Sequence, residues 1–280
     1  MIITVWGQGG NVGKSVISLI LSRFLGKDKD KKENKKNNVL LIDLDLKNPS
    51  QNIYHNDIKN TATIDNILNY VNITNNLEKI IVNNVISHKD HDVLYGTKMP
   101  EKSLYIQPEP LQRIIEEAEK LYKSIVIDTH NVIDNAGTYI AIEKADLIIT
   151  VVTQNIKDII LFNQNHIFKG LTEDKAIKYV INKYDEKSKL DINTIKELIQ
   201  TDSIYTVPEF TSMLADMVNA RMLHSIPLEE AEMKEINNSI SFLVRDKDNE
   251  GETAYNPDID EIKTTKKKRS IFNFGKLNIF

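Results

Sequence analysis

Short uninterrupted apolar runs alternate with longer segments of mixed polarity along this chain, and that alternation sets the expected architecture. Residues 2 to 6, 39 to 43, 80 to 86, 103 to 107, 124 to 128, 147 to 153, 177 to 182 and 204 to 207 read as strands. Apolar runs that do not alternate with polar residues suit strands buried on both faces, as in a parallel sheet. Residues 13 to 25, 63 to 71, 109 to 122, 136 to 144, 157 to 168, 191 to 200, 211 to 223 and 228 to 244 read as helices between them. Strand and helix in alternation predict an α/β domain over residues 1 to 244, a mostly parallel twisted sheet with helices on both faces. No internal repeat is present.

Residues 1 to 15, MIITVWGQGGNVGKS, carry the first strand directly into a glycine-rich loop. Small residues let backbone N–H groups close around phosphate oxygens, Lys14 reaches them as a point charge, and Ser15 offers a hydroxyl to Mg²⁺. The apolar run VISLILSRFL follows, so the positive end of a buried helix adds to anion binding. Gly9, Gly10, Asn11, Val12, Gly13, Lys14, Ser15 and Val16 are therefore expected to contact a nucleotide. Spacing departs from the usual GxxxxGK[ST]: Gln8 stands where the first glycine belongs, and Gly7 lies one residue further out. Either the loop is one residue longer, or Gly9 and Gly10 make the turn.

Residues 39 to 50, VLLIDLDLKNPS, form a buried strand with Asp43 and Asp45 at its carboxyl end, and Pro49 prevents simple continuation. Parallel sheets bind ligands at that edge. SIVIDTH, residues 124 to 130, repeats the pattern and ends its strand in Asp128, which suits a Mg²⁺–water ligand. One such acid is an ordinary turn or cap residue. Three of them after a phosphate loop point to a metal–nucleotide site.

Taken in order, GQGGNVGKS, VLLIDLDLKNPS, SIVIDTH, ADLIITVVT, YVINKYD and VPEFTSMLADMVNARMLHSIPL resemble the ParA/MinD family of P-loop ATPases over about residues 1 to 244. The VWG-type loop is most similar to the CpaE/TadZ branch, which helps place pili and secretion machinery at the cell envelope. The resemblance implies ATP and Mg²⁺ as cofactors and an ATP-dependent homodimer that binds a surface and is released after hydrolysis. Carried over to this chain, Lys14 holds phosphates, Ser15 binds Mg²⁺, Asp43 supports the metal shell, Asp128 holds the metal through water and Asp45 orients the attacking water. Asn182 matches the position that reads the adenine edge, and Pro208 with Glu209 the loop over the base.

Two departures stand out. The family's signature lysine, which reaches the partner's phosphates across the dimer, falls at Gln8 or Gly9 depending on the direction of counting, and neither is a cation. Positive charge supplied in trans to a transferring phosphoryl is worth ~10³ to 10⁵ in rate, so hydrolysis is expected to be slow unless another Lys or Arg substitutes. His130 stands, without a following proline, where the family has a small or proline-containing switch.

Composition fits a single α/β core: 280 residues, 41% of them hydrophobic, no cysteine, and a formal net charge of −4. Lack of Cys excludes disulfides, thiol catalysis and Cys-based zinc sites. The start reads as a strand rather than a signal peptide, and no apolar run approaches ~20 residues, so a cytoplasmic protein is expected, peripheral at the inner membrane face. The negative balance argues against whole-surface attraction to nucleic acid while leaving room for a local basic patch, and GKDKDKKENKKNN at 26 to 38 reads as a solvated charged insert, with a basic contact surface for DNA or acidic lipid as the alternative.

From 245 to 265 the chain is polar and acidic, a linker. Residues 266 to 280 then set Lys266, Lys267, Lys268 and Arg269 beside Ile271, Phe272, Phe274, Leu277, Ile279 and Phe280. Each cation near an anionic bilayer contributes ~1 kcal/mol, and apolar insertion adds to it. MinD-like proteins have a similar tail, strengthened by dimerisation. A flexible end that docks on its own domain or on a protein partner is the alternative. These features together predict an ATP switch that positions an envelope-associated, conjugation, secretion or pilus assembly. A DNA-binding partition ATPase and a degenerate nucleotide-binding scaffold are the rivals, and the bacterial tyrosine kinase branch fits poorly because the tail has only Tyr255. His88, His91, His130, His166 and His224 are dispersed in the sequence and read as surface or packing residues.

Overall fold

The computed structural model describes residues 1–27, 37–227 and 230–244. Met1–Val244 forms one compact unit and Arg245–Phe280 counts as another, which lies outside the described residues together with the linker and the basic, apolar tail. Most of the charged insert is outside them as well.

Among the described residues, eight strands make one sheet: β1 (Ile2–Trp6), β2 (Val39–Leu44), β3 (Ile86–Ser87), β4 (Asp92–Leu94), β5 (Ser124–Thr129), β6 (Leu147–Val152), β7 (Ala176–Tyr184) and β8 (Ile204–Pro208). Their spatial order is β3-β4-β2-β5-β1-β6-β7-β8, and only β3 runs antiparallel to its neighbour. Helices are α1 (Lys14–Gly26), α2 (Gln51–Tyr54), α3 (Ile64–Leu68), α4 (Leu77–Asn84), α5 (Pro108–Glu119), α6 (Ala136–Lys144), α7 (Ile156–Asn163), α8 (His166–Leu171), α9 (Ile192–Ile199), α10 (Ser212–Asn219) and α11 (Ala231–Val244). This is the expected α/β fold, a mostly parallel sheet with helices on both faces.

Strand periodicity builds both layers. Val39 and Leu41 pack with α1 and α11 residues such as Leu19 and Ile240, whereas Leu40, Ile42 and Leu44 pack with Ile64, Leu111 and Ile140 on the opposite face. Trp6 turns to a third cluster, where it stacks on Phe168 with ring centroids 4.1 Å apart.

Two expected strands are corrected. Residues 80 to 86 lie mostly in helix α4, where Leu77 and Ile81, one turn apart, are buried while Val82 is exposed, so packing at helical spacing overrides the β-branched run. Residues 103 to 107 overlap a 3₁₀ turn, Pro100–Tyr105, with Leu104 and Tyr105 exposed. Short β4 replaces them in the sheet; its Asp92, buried and accepting from Tyr122 Oη at 2.8 Å, hides a strand behind a polar residue. The helix expected over 157 to 168 breaks into α7 and α8 at Asn165, whose side chain caps α8 by accepting from Phe168 N.

Candidate nucleotide-binding site

β1 sits centrally between β5 and β6, so the loop that leaves it opens at the carboxyl edge beside the ends of β2 and β5. Gly7 turns the chain: a Cβ there would lie 2.3 Å from Val151 O. Gly13 has φ +94°, and a Cβ on it would lie 2.2 Å from Asn182 Nδ2, so glycine is required on both counts. Gly10 faces open space. The loop therefore runs from Gly7, the longer of the two spacings, into α1 at Lys14.

Lys14 is buried, with Nζ 3.4 Å from Gly9 O. Burial lowers its pKa, while Asp128 and Asp45 act in the opposite direction. Asp43 and Asp128 are register partners on β2 and β5, both fully buried. Burial raises the Asp128 carboxyl to about 6 against hydrogen bonds from Ser15 and Gln51, with Asp45 raising it further and Lys14 lowering it. Asp43 stands well above the usual carboxylate range, through burial and then the charge of Asp128, although the backbone N–H groups of Gln51 and Ser50 donate to it. Packed this way, the acids lack positive charge. A divalent cation would supply what they lack.

The donor set fits magnesium: a serine hydroxyl and carboxylate oxygens, hard ligands of the kind Mg²⁺ takes together with phosphates and water. Asp43 is the most committed of them, since Oδ2 accepts from Ser50 N and Gln51 N at 2.9 and 3.0 Å and Oδ1 accepts from Asp45 N at 3.1 Å. Among the described residues, no three His, Cys, Asp or Glu side chains converge as a ready-made metal cage. Few protein ligands and several from substrate and water is the usual Mg²⁺ arrangement.

Asp45 Oδ1 meets His130 Nδ1 at 2.8 Å and accepts from Asn48 N at 3.0 Å. His130 thus ties the segment after β5 to the acid after β2. Gln51 escaped the sequence reading. Its side-chain amide donates to Asp128 Oδ2 at 2.8 Å and to Ser15 O at 2.9 Å, linking both expected metal ligands. Gln8 is also fixed, accepting from Asn165 Nδ2 at 2.6 Å through its side chain and from Asn131 Nδ2 at 3.3 Å through its carbonyl. Asn182 is buried and donates to Val12 O at 2.8 Å. Pro208 ends β8 in register with Tyr184, and exposed Glu209 follows at the same edge.

Four histidines dispersed in the sequence come together behind α2. His55 Nε2 lies 2.9 Å from His91 Nε2, His55 Nδ1 lies 2.7 Å from Gln51 O, and the His88 and His224 rings stand 4.5 and 6.4 Å from the His55 ring. His88 approaches Tyr95 Oη at 3.1 Å, and that hydroxyl donates to Asp57 at 2.6 Å. Dispersion along the sequence therefore misleads for His88, His91 and His224, which join His55 in one cluster.

A strand, a glycine loop wrapped toward a helix amino terminus, and acids from adjacent strand ends define a P-loop nucleotide-binding α/β domain. Residues 3–231 match the family of CobQ/CobB/MinD/ParA nucleotide binding domains, and the chain belongs to it. It is similar to a ParA family ATPase from Chlorobium tepidum, with a TM-score of 0.70, 18% identity, and 85% of this chain and 96% of that one covered. Similarity extends to the septum site-determining protein MinD of Pyrococcus horikoshii complexed with Mg-ADP, with a TM-score of 0.65, 17% identity and coverage of 86% and 93%. A plasmid partition protein of Borrelia burgdorferi gives a TM-score of 0.61, 22% identity and coverage of 86% and 96%. No curated protein matches the sequence. No helix among the described residues is long and apolar enough to cross a membrane.

Proposed function

We propose that the chain is an ATP-binding, slowly hydrolysing switch that dimerises with ATP and positions an envelope-associated, conjugation, secretion or pilus assembly at the inner membrane face. The observation that carries the nucleotide part is the joining of partly buried Ser15 to buried Asp128 by the Gln51 side chain, beside buried Lys14 at the start of α1. Lys14 would neutralise phosphate oxygens, while Ser15 and Asp128 would hold Mg²⁺, with Asp43 fixing the backbone behind them. Magnesium, when bound, polarises the phosphoryl oxygens. Asp45 orients water, and His130 holds Asp45 in place for it. Asn182, Pro208 and Glu209 are assigned to the base side. Neutral Gln8 and crowded Gly9 favour slow turnover.

Membrane attachment is assigned to Lys266, Lys267, Lys268 and Arg269 with Ile271, Phe272, Phe274, Leu277 and Phe280. Co-sedimentation with anionic liposomes and with DNA, with and without ATP and Mg²⁺, tests the assignment. ATP-dependent binding to liposomes that disappears on deletion of residues 265–280 is expected. Salt-sensitive, ATP-dependent binding to DNA instead would make the chain a partition ATPase.

A further inference from the structure

Every polar group of Gln51 except one is engaged. Its main-chain N–H donates to Asp43 Oδ2 at 3.0 Å, and its main-chain carbonyl faces His55 Nδ1 at 2.7 Å. The side-chain amide uses both hydrogens on the expected metal ligands, one on Asp128 Oδ2 at 2.8 Å and one on Ser15 O at 2.9 Å. A main-chain carbonyl only accepts, so Nε2 must face this pair and the orientation of the amide is settled. Oε1 is left over. It is buried and has no hydrogen-bond partner among the described residues, in a side chain that is wholly enclosed.

An unpaired buried acceptor destabilises a fold, and an apolar side chain of the same length would avoid it. Such a group asks for a physical reason, and here the reason lies in what the two amide hydrogens hold. Asp128 Oδ1 has a long contact, 3.4 Å from a Ser18 hydroxyl that also reaches Lys14 O at 3.0 Å. The shorter Gln51 bond to Oδ2 fixes the plane of the carboxylate. Each carboxylate oxygen has two acceptor sites, so Asp128 keeps capacity for a metal-bound water. The bond to Ser15 O holds the first turn of α1, and with it the backbone that carries the Ser15 hydroxyl. One amide thus sets two ligands that come from different elements, β5 and α1. Groups that orient metal ligands from behind typically change metal affinity by about 10- to 100-fold.

We propose that Gln51 is a positioning residue for Mg²⁺: its side-chain amide presets Asp128 and Ser15 as a ligand pair, and so determines how much the metal adds to the binding of a nucleoside triphosphate. The inference rests on the magnesium–nucleotide site proposed above. Substitution at this position leaves the links to Asp43 and His55 in place, because the main chain makes both.

Titration calorimetry of ATP on the full chain, once with excess Mg²⁺ and once with EDTA, tests the proposal in the parent, Gln51→Met, Gln51→Asn and Lys14→Ala. The ratio of the two affinities measures what the metal contributes. Gln51→Met is expected to keep its affinity in EDTA and to lose about 10- to 100-fold of that ratio. Gln51→Asn, whose amide falls one methylene short of Asp128, is expected to lose in the same sense and serves if the methionine variant does not fold. A parental ratio in the folded variant would overturn the proposal. Equal losses with and without metal would overturn it too, and would make Gln51 a prop for the loop. Failure of the underlying site looks different: a parent that gains nothing from Mg²⁺, or Lys14→Ala binding ATP at parental strength, would show the site itself to be misassigned and the proposal with it.

Discussion

Helix α2 separates two clusters of titratable side chains that differ in one physical respect. On one side, the amide of Gln51 contacts Asp128 and the Gln51 N–H contacts Asp43, among three neighbouring carboxyl groups with one buried lysine. On the other side, the carbonyl of the same Gln51 faces His55 Nδ1. A carbonyl can only accept, so His55 carries its proton on Nδ1 and its Nε2 must accept; His91 Nε2 therefore donates. On the histidine side the tautomers of His55 and His91 interlock through that pair. The acid side is short of positive charge, and the carboxyl groups of Asp43 and Asp128 are held above their usual range. Burial alone does not mark a functional site; uncompensated charge beside a phosphate-shaped loop does.

The largest test of that contrast is Lys14→Ala, which removes the one buried cation among the acids. Loss of roughly a hundredfold or more in ATP affinity is expected by calorimetry, because several charge-assisted contacts go with it. Unchanged affinity would erase the distinction between the two sides. Next comes Asp45→Ala, which is expected to keep ATP binding but lose ~10² to 10⁴ in turnover in a phosphate-release assay, the range for a group that positions or activates water. Full activity would leave Asp45 as no more than a partner of His130.

The smallest effect belongs to the histidine side and concerns stability alone. Burial first, then His88, His224 and Arg23, depress the His55 pKa to about 3, against the raising effect of the Gln51 carbonyl. His55 therefore stays neutral in the fold between about pH 3 and 6.5 while the unfolded chain takes up a proton. Folding stability is then lost as pH falls through this window, by about 1.4 kcal/mol per unit from this residue, and the loss is absent above 6.5. His55→Asn is expected to flatten the pH dependence between 7 and 5 in urea unfolding, while leaving Mg-ATP affinity at pH 7.5 within about twofold because the histidine side lacks phosphate contacts. An equally steep dependence in the variant would assign the protons elsewhere.

Legibility follows sequence distance. Lys14, Ser15 and their glycines were readable because strand, loop and helix start lie within fifteen contiguous residues, where propensity and spacing act locally. Asp43, Asp45 and Asp128 were readable because each closes an apolar run. Gln51 was not: its partner Asp128 is 77 positions away, and a glutamine after Pro49 and Ser50 has no pattern of its own. Asn165 was hidden further, 157 positions from Gln8 inside what reads as one helix. Helix α4 misled in the opposite sense, since β-branched residues favour a strand until Leu77 and Ile81 find a common core.

By itself, the order of residues determined the layered α/β domain and its phosphate loop, since periodicity, glycine placement and the adjacent helix start are local properties of the backbone. Only the tertiary structure decided which distant side chains share that loop. Strand order brings β2, β5 and β7 residues to one edge, where Asn182 Nδ2 and Lys183 Nζ donate to the neighbouring carbonyls of Val12 and Asn11. Neighbours along the chain cannot specify either result, because both arise from how separate strands align.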